Sequence, residues 1–402
     1  MKIMKRLFFL YLIFCTFIAF SQNISASQDY YLVESTPIET DLDNPDIPNT
    51  LDVWIELFNS AQKSIDLSHF ILDSGNDEAF NGVLALLKKK SEQGVKIRLL
   101  YDQKKYSVSK EVVGIFKKFK NCEVRAIDLE KLTTGILHTK YIIVDNKRSF
   151  VGSQNFLFAS MNHIHETGLY FNGTVVTDDL IKLFNFDWEL ADKINKGKKI
   201  IFSQKTYDKV PQKDLFTSIT LPSLNPEEFP STEAVILDKL KNAKKNVYIQ
   251  LYSIATVNRY GKGPKEYSLL FDAIVQAGKR GVKVSILAPD WCMKEPKLGT
   301  LKKLAKEENI TVKFVTIPQY SKRFIAYARV IHSKYFIVDS EFAQIGTSNW
   351  EYSYFYNTRN VEINFTSPKV ISNLEKIFNK LWNSKYAYLV DVNKDYKAPK
   401  VY

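Results

Sequence analysis

The chain repeats part of itself, and this duplication constrains its fold more than any other feature of the sequence. Residues 138–145, His-Thr-Lys-Tyr-Ile-Ile-Val-Asp, recur as residues 332–339, His-Ser-Lys-Tyr-Phe-Ile-Val-Asp. Residues 152–155, Gly-Ser-Gln-Asn, recur as residues 346–349, Gly-Thr-Ser-Asn. Both pairs of motifs are separated by 194 positions. We therefore expect two copies of one architecture, with the insertions upstream of these motifs.

Each copy alternates helical and extended patterns. Apolar residues at helical spacing predict helices such as Ala79–Gln93 and Ser268–Arg280. Runs rich in β-branched residues predict strands such as Cys122–Ile127 and Val361–Phe365. Strands that alternate with helices are typical of an α/β fold with a mixed or mostly parallel sheet.

The repeats and the distribution of proline set the domain boundaries. Residues 22–203 and 231–392 are the two predicted halves. Residues 204–230 contain Pro211, Pro222, Pro226 and Pro230 and predict an irregular linker. Residues 393–402 are polar and predict a surface tail.

The N-terminus has the pattern of a targeting segment. Three basic residues precede the uncharged apolar run Leu7–Phe20, and residues 19 and 21 are small, as at a cleavage site. The run is shorter than the roughly 20 residues that span a bilayer. Residues 1–21 therefore predict a signal peptide and a secreted or endolysosomal lumenal protein. The alternative is an uncleaved type II anchor with a lumenal catalytic body.

Composition agrees with a folded, basic protein. Hydrophobic residues make up 45% and charged residues 25% of the chain, which excludes wholesale disorder and a polytopic membrane protein. The net charge is +12, and loss of the three positive charges in residues 1–21 would leave +9. This sign suits a partner that carries phosphate, such as a nucleic acid or an anionic membrane surface.

Passage through an oxidising lumen would allow two modifications. Cys122 and Cys292 would remain after cleavage, and their spacing leaves open whether they form a disulfide. Asn-x-Ser/Thr triplets, the acceptors of N-glycans, occur at Asn23, Asn172, Asn309 and Asn364.

The repeated His-x-Lys pattern has a chemical meaning. Side chains two positions apart on a strand share one face, so His138 and Lys140 point the same way, as do His332 and Lys334. Two imidazoles and two ammonium groups in one cleft would bind an anion next to a nucleophile and an acid. No set of His, Cys and carboxylate residues has the spacing of metal ligands, so we expect neither a metal nor a cofactor.

The two His-x-Lys-x4-Asp motifs, each followed by Gly-[Ser/Thr]-x-Asn, resemble those of the phospholipase D superfamily over nearly the whole mature chain. In the residues around Trp350 the chain is most similar to the endolysosomal branch that includes single-strand 5′ exonucleases. The resemblance implies a duplicated phospholipase D-type fold, with two α/β halves in pseudo-two-fold symmetry and the active site at their seam. It implies phosphodiester cleavage through a phosphohistidine, with His138 as nucleophile and His332 as acid, although near symmetry allows the reverse assignment. Lys140 and Lys334 would hold the phosphoryl oxygens.

Further residues complete the predicted site. Glu166 and Glu362 follow the two histidines at similar distances, which suggests carboxylates that orient the imidazoles. Asp145 and Asp339 complete the two motifs of the catalytic set, although their place at the far end of the strand favours a structural role in the following turn. His69 ends an early strand near the expected seam, where it could contact the substrate. The predicted substrate-binding residues are Ser153, Asn155, Thr347, Asn349 and Trp350.

Two substrates fit the predicted chemistry. The first expectation is hydrolysis of phosphatidylcholine to phosphatidic acid and choline at a phospholipid membrane surface. The alternative is a secreted or lysosomal 5′ exonuclease that acts on single-stranded DNA or RNA. An apolar lip at the cleft would favour lipid, and a basic channel with aromatic residues would favour nucleic acid. No obligate protein partner is inferred.

Overall fold

The computed structural model describes residues 29–203, 207–226, 229–259 and 261–402. The predicted signal peptide and the Asn23 triplet lie outside these residues. The elements of the first half are β1 (Tyr30–Ser35), α1 (Thr50–Asn59), β2 (Ser64–His69), β3 (Leu72–Asp73), α2 (Glu78–Glu92), β4 (Lys96–Asp102), α3 (Tyr106–Phe116), β5 (Cys122–Ile127), α4 (Glu130–Thr133), β6 (Lys140–Val144), β7 (Arg148–Gly152), β8 (Phe156–Leu157), α5 (Ala159–Asn162), β9 (Glu166–Asn172) and α6 (Val175–Asn195).

The second half repeats this order with fewer short elements. Its elements are β10 (Leu215–Ile219), α7 (Thr232–Asn242), β11 (Asn246–Gln250), α8 (Leu269–Lys279), β12 (Lys283–Pro289), α9 (Lys297–Leu304), β13 (Ile310–Val315), β14 (Tyr335–Val338), β15 (Phe342–Gly346), α10 (Tyr352–Tyr356), β16 (Val361–Phe365), α11 (Pro368–Trp382) and β17 (Ala387–Leu389).

The two main sheets share one plan. The strand order is β1-β9-β7-β6-β2-β4-β5 in the first and β10-β16-β15-β14-β11-β12-β13-β17 in the second. In each sheet three strands pair in parallel, β2-β4-β5 and β11-β12-β13, because helices cross over between them. The strands that carry the motifs pair antiparallel with their neighbours. The predicted duplicated α/β fold is therefore confirmed.

Local sequence explains where the helices begin and which face they bury. The Asn49 side chain accepts a hydrogen bond from the backbone N–H of Leu51 at the start of α1, and Asp77 accepts one from that of Phe80 in α2. Helix α2 then buries one apolar stripe at helical spacing, formed by Phe80, Val83, Leu84 and Leu87.

One hydrophobic core joins the two halves. It combines buried residues of both sheets with the inner faces of α6 and α11, and Leu169 and Phe171 of the first sheet belong to the same cluster as Ile345 and Ile363 of the second. Each half also has a core of its own. Because the shared core is continuous, the halves form one unit with the seam at its centre.

The predicted linker is wrong over residues 215–219. Residues 215–219 form β10, which pairs antiparallel with Val361–Phe365, as β1 pairs with β9 in the first half. The prolines lie outside this strand, so proline content hid a short strand whose stability comes from a partner far along the chain. None of the described helices is long and apolar enough to cross a membrane.

The structure also bears on the predicted modifications. Asn364 is fully buried in β16, where its side chain bonds Gln344, Ser218 and the Phe216 carbonyl, so the predicted glycan at Asn364 is wrong. Asn172 and Asn309 are exposed and stay predictions. Cys122 and Cys292 are both free thiols.

Asp145 and Asp339 hold the starts of neighbouring strands. The Asp145 carboxylate accepts hydrogen bonds of 2.7–2.9 Å from the backbone N–H groups of residues 62–64, where β2 begins. Asp339 accepts three of 2.7–3.0 Å from residues 244–246, where β11 begins. Both lie at the opposite end of the motif strand from the lysine. Their inclusion in the catalytic set is therefore corrected to a structural role, and the backbone they hold is a strand start rather than the following turn.

Replacing Asp145 with Ala should lower the free energy of unfolding by about 2 kcal/mol, because three backbone donors lose a charged acceptor. Urea unfolding measures this change, with Asp208→Ala, at an exposed carboxylate, as the matched control. The folded variant should keep its kcat/KM within about twofold. A much larger loss of turnover at unchanged stability would return Asp145 to the catalytic set.

Candidate active site at the seam

Reciprocal backbone pairing brings the two motifs together. The His138 N–H donates to the carbonyl of Arg359 at 2.9 Å, and the His332 N–H donates to that of His165 at 2.8 Å. In return, the Arg359 N–H donates to the carbonyl of Ile136 at 2.9 Å. Positions 165 and 359 differ by 194, so each half offers the same segment to the other half's histidine.

The four predicted motif residues meet in a buried cluster. His138 is 4% exposed, Lys140 and Lys334 are 0% and 2% exposed, and the His332 side chain is 13% exposed. The Lys140 ammonium donates to the His138 carbonyl at 2.6 Å, and Lys334 donates to the His332 carbonyl at 2.5 Å. One N–H of each lysine is thus used to fix its direction, and the others can bind an anion.

Each imidazole is oriented by a side chain of the opposite half. The Nδ1 atom of His332 lies 2.5 Å from Oε1 of Glu166, and that of His138 lies 2.9 Å from Oδ1 of Asn360. Glu166 thus orients an imidazole as predicted, but across the seam. Asn360 was missed, although its offset of 194 from Glu166 could have identified it.

Glu362 does not orient an imidazole, so that prediction is wrong. Its Oε1 atom accepts hydrogen bonds from the backbone N–H groups of Thr347 and Ser348 at 3.1 and 2.7 Å and from the Ser348 hydroxyl at 2.5 Å. Glu362 therefore shapes the loop after β15. Glu362 was suggested by its distance from His332 in the sequence, but the side chain that reaches the seam is that of Asn360, two residues earlier.

The hydrogen bonds around Asn360 define the tautomer of His138. The Asn360 Nδ2 donates to the Tyr354 carbonyl at 2.9 Å, which places Oδ1 toward the histidine. The Thr347 hydroxyl donates to this Oδ1 at 3.0 Å. A carbonyl-type oxygen can only accept, so Nδ1 of His138 carries the proton and Nε2 keeps the lone pair of a nucleophile.

Burial sets the charges of the ionisable groups in the site. Burial lowers the pKa of Lys140 to about 7 and also lowers that of Lys334. Burial, followed by the two lysines, lowers the pKa of both imidazoles. Burial raises the pKa of Glu166 to about 8. A bound phosphodiester anion would favour the charged ammonium forms, so binding and protonation are linked.

Three aromatic rings flank the imidazoles: Tyr354 meets His138 edge-to-face at 5.2 Å and 79°, and two further rings, Phe70 and Tyr252, were not predicted. The Phe70 ring meets His138 edge-to-face at 4.9 Å and 63°, and the Tyr252 ring meets His332 at 4.9 Å and 73°. The signal for Phe70 and Tyr252 was the correspondence between β2 and β11, which start at Ser64 and Asn246, because position 70 then corresponds to position 252.

The Phe70 and Tyr252 rings each also lie close to two ammonium groups. Lys140 and Lys105 each lie 5.4 Å from the Phe70 centroid, and Lys334 and Lys297 lie 5.1 and 5.5 Å from that of Tyr252. The site therefore has four ammonium groups arranged around two rings.

The remaining predicted residues divide between the site and the core. Thr347 acts on Asn360, as described above. Ser153 is buried and exchanges hydrogen bonds with the Thr167 backbone at 3.3–3.4 Å, so it supports the loop. Asn155 and Asn349 are 7% and 2% exposed, and neither Oδ1 has a hydrogen-bond partner among the described residues. The predicted phosphoryl contacts of these two amides stay predictions.

Two predicted contacts belong to the cores of the halves. Trp350 is 3% exposed and packs edge-to-face on Phe336 at 5.7 Å, so its substrate-binding role is wrong. His69 is fully buried between Trp54 and Phe156, with centroid distances of 5.8 and 5.4 Å, and also does not reach a substrate. Among the described residues, no group of three or more His, Cys, Asp or Glu could hold a metal ion.

A duplicated fold with two His-Lys pairs at its seam is suited to reactions at a phosphodiester, because the ammonium groups can stabilise charge on the phosphoryl oxygens while the imidazoles serve as nucleophile and acid. The family model described as "Cardiolipin synthase, PLD-like domain" matches residues 54–188 and 236–382, and the chain belongs to this phospholipase D-like family. It is accordingly an enzyme of the phosphoric diester hydrolase class.

Known proteins resemble the chain over most of its length. It is 28% identical over 403 residues to a 5'-3' exonuclease PLD3 of Xenopus laevis, covering 89% of this chain and 80% of the relative. It is 27% identical over 386 residues to phospholipase D Z of Dictyostelium discoideum, covering 89% and 90%. A phosphatidylserine synthase structure from Haemophilus influenzae matches with a TM-score of 0.62 and 13% identity, covering 85% of each chain. That structural likeness supports the fold alone.

Opposite substitutions at the two orienting positions should move opposite limbs of the pH–rate profile. Glu166→Gln removes a carboxylate that stabilises the His332 imidazolium. The pKa of His332 then falls, so a smaller fraction of the protein has His332 protonated at a given pH. The alkaline limb therefore shifts to lower pH by about 1 unit. Asn360→Asp raises the pKa of His138 and shifts the acid limb to higher pH by a similar amount.

Rates on a small diester from acid to alkaline pH test this prediction, since the limbs report the coupled pair. Parallel movement of both limbs in either variant would contradict the separate roles of the two imidazoles.

Proposed function

We propose that this phosphodiesterase cleaves single-stranded nucleic acid from its 5′ end through a covalent phosphohistidine. The observation that carries the substrate is the pairing of an aromatic ring with a second lysine on both sides of the site, at Phe70 with Lys105 and at Tyr252 with Lys297. Lys140 and Lys334 suffice for one phosphodiester. The outer lysines fit the neighbouring phosphates of a polyanion, and the rings offer flat surfaces for bases.

In the proposed mechanism, Nε2 of His138 attacks the phosphorus and a phosphorus–nitrogen bond forms. The phosphorus–oxygen bond to the leaving group breaks, and its oxygen takes the proton from Nε2 of His332. Lys140 and Lys334 stabilise the charge on the non-bridging oxygens. His332, now neutral, takes a proton from water, whose oxygen attacks phosphorus and releases His138. In its ionised form Glu166 supports this cycle, because its Oε1 accepts a hydrogen bond from Nδ1–H of His332 whether that imidazole is neutral or protonated.

The same lysines disfavour choline as a leaving group. A quaternary ammonium is recognised by open aromatic faces without competing cations. Phe70 and Tyr252 each already lie near two ammonium groups, which would repel choline. The relative named 5'-3' exonuclease supports the nucleic-acid substrate. Phosphatidylcholine hydrolysis, the first expectation from sequence, is the second candidate, and the relative named phospholipase D Z supports it.

The location of the reaction is part of the proposal. Residues 1–21 support delivery to a secreted or endolysosomal lumen, with the type II anchored form as the alternative. Expression of the full chain followed by N-terminal sequencing of the purified protein tests cleavage after Ser21.

A side-by-side assay tests the substrate. The purified protein should degrade a 5′-hydroxyl single-stranded oligonucleotide, and the rate should survive EDTA. Phosphatidylcholine vesicles should release choline at least about tenfold more slowly, because the outer lysines repel the headgroup. The His138→Ala protein is the control for contaminating nucleases. Choline release with an intact oligonucleotide would replace the first candidate with the second.

A trapping experiment separates the two histidines. With a p-nitrophenyl phosphodiester, whose leaving group needs little protonation, His332→Asn should form the phosphohistidine and hydrolyse it about 10²–10⁴-fold more slowly than the parent. His138→Asn should form none. Mass spectrometry of the quenched protein locates the phosphoryl group. Labelling of His332 in the His138→Asn protein would reverse the assignment.

A further inference from the structure

A second aromatic and basic surface lies outside the motifs. Tyr327 and Tyr402 stack with a centroid distance of 5.9 Å and an interplanar angle of 25°, and they are 61% and 79% exposed. Lys400 lies over the exposed Phe324 ring at 5.1 Å, and Arg323 precedes that ring in the chain. These five residues are called the tyrosine platform below.

The segment predicted as a surface tail builds part of this platform. Tyr396 packs on Phe314 at 5.2 Å, and Lys302 donates to the Lys394 carbonyl at 2.7 Å. The Tyr327 N–H then donates to the Val401 carbonyl at 2.8 Å. Residues 393–402 are therefore fixed along the second half and bring Tyr402 onto Tyr327.

The other part of the platform is held in an unfavourable backbone conformation. Tyr327 and Arg329 have φ angles of +56° and +57°, a region that costs non-glycine residues about 1–2 kcal/mol. The buried Arg329 stabilises the segment, since its guanidinium donates to the carbonyls of Pro318 at 2.6 Å and Ile38 at 2.9 Å. Ile38 belongs to the first half, so the platform is fixed across the seam.

The platform lies on the His332 side of the site. Residues 318–330 lead directly into His332. The His165 N–H donates to the Val330 carbonyl at 2.9 Å, and the His165 carbonyl accepts from the His332 N–H at 2.8 Å, so the end of this segment is held beside His332. Because His332 protonates the leaving oxygen, a chain attached to that oxygen extends toward the platform.

Charge and shape favour a nucleic acid over a bilayer as the occupant. Residues 318–330 contain three basic residues and no acidic one, and residues 393–402 contain three lysines and one aspartate. Ile325 and Val330 of the first segment are buried, at 5% and 2% exposure, so it offers no Ile, Val, Leu or Met side chain for insertion between lipids. Tyrosine rings can stack on the bases of a nucleic acid, and the cations beside them can pair with its phosphates.

We propose that the tyrosine platform binds bases of a single-stranded nucleic acid on the leaving-group side of the scissile phosphate. This inference rests on the proposed nucleic-acid substrate and adds a subsite that positions the strand relative to the two histidines. The outer face of Tyr402 stacks on a base, and Lys400 and Arg323 contact the adjoining phosphates.

Binding of a fluorescent ten-nucleotide oligothymidine to the full chain tests the platform. The parent protein carries His138→Ala, which prevents turnover. Adding Tyr402→Ala should weaken binding about tenfold, as expected for loss of one stacked base, and Tyr402→Phe should restore it. Lys400→Gln should reduce the salt dependence of binding. The matched control is Tyr31→Ala, in the stacked Tyr31–Tyr170 pair of the first half at 4.8 Å, which should leave affinity unchanged.

The outcomes separate the platform from the proposed function. Oligonucleotide affinity that is equal in the parent and in Tyr402→Ala overturns the platform, even if the wild-type protein cleaves the oligonucleotide. Affinity that depends on Tyr402 upholds the platform, even if the wild-type protein leaves the oligonucleotide intact, in which case the proposed function fails alone. If sedimentation with phosphatidylserine vesicles depends on Tyr402 but oligonucleotide binding does not, the surface binds membranes. That result overturns the proposed nucleic-acid subsite.

Discussion

The reciprocal hydrogen bonds across the seam are the constraint on which the whole site depends. The backbone of each motif histidine pairs with a segment of the other half, and the residue directly after the pairing position contacts the ring of that histidine. Neither half alone can therefore orient its own imidazole. The continuous core between the sheets keeps these contacts in register, because close-packed interiors transmit small displacements directly. The two copies in the sequence thus form a single active site, because each copy supplies the residue that orients the other copy's histidine.

A single difference within this symmetry separates the two imidazoles. Glu166 and Asn360 occupy equivalent positions, but only the first can stabilise an imidazolium by charge. The amide instead holds His138 neutral with its lone pair directed away from Asn360. The residue before Asn360, Arg359, is fully buried and pairs with the fully buried Asp187 of α6 at 3.1 Å. This pair fixes the backbone that contacts His138, so the asymmetry extends into the core.

Sequence reasoning succeeded where a feature is encoded locally or by repetition. The motifs, their chemistry and the α/β class follow from short patterns and from the offset of 194. It failed where a side chain's partner lies far along the chain. Glu362 has a suitable spacing but turns to its own loop, Trp350 follows a motif but packs in a core, and β10 is a strand only because β16 pairs with it. Asn364 carries an acceptor triplet, yet it is buried within a sheet.

The sequence by itself determined the reaction class, because two His-Lys pairs in repeated motifs have few other uses than binding and cleaving a phosphodiester. It also determined that there would be two similar halves. Only the tertiary structure decided that orientation is exchanged across the seam, that Asn360 rather than Glu362 faces His138, and that Phe70 and Tyr252 flank the imidazoles with additional lysines. These features depend on contacts between residues separated by up to 222 positions, which no local pattern records.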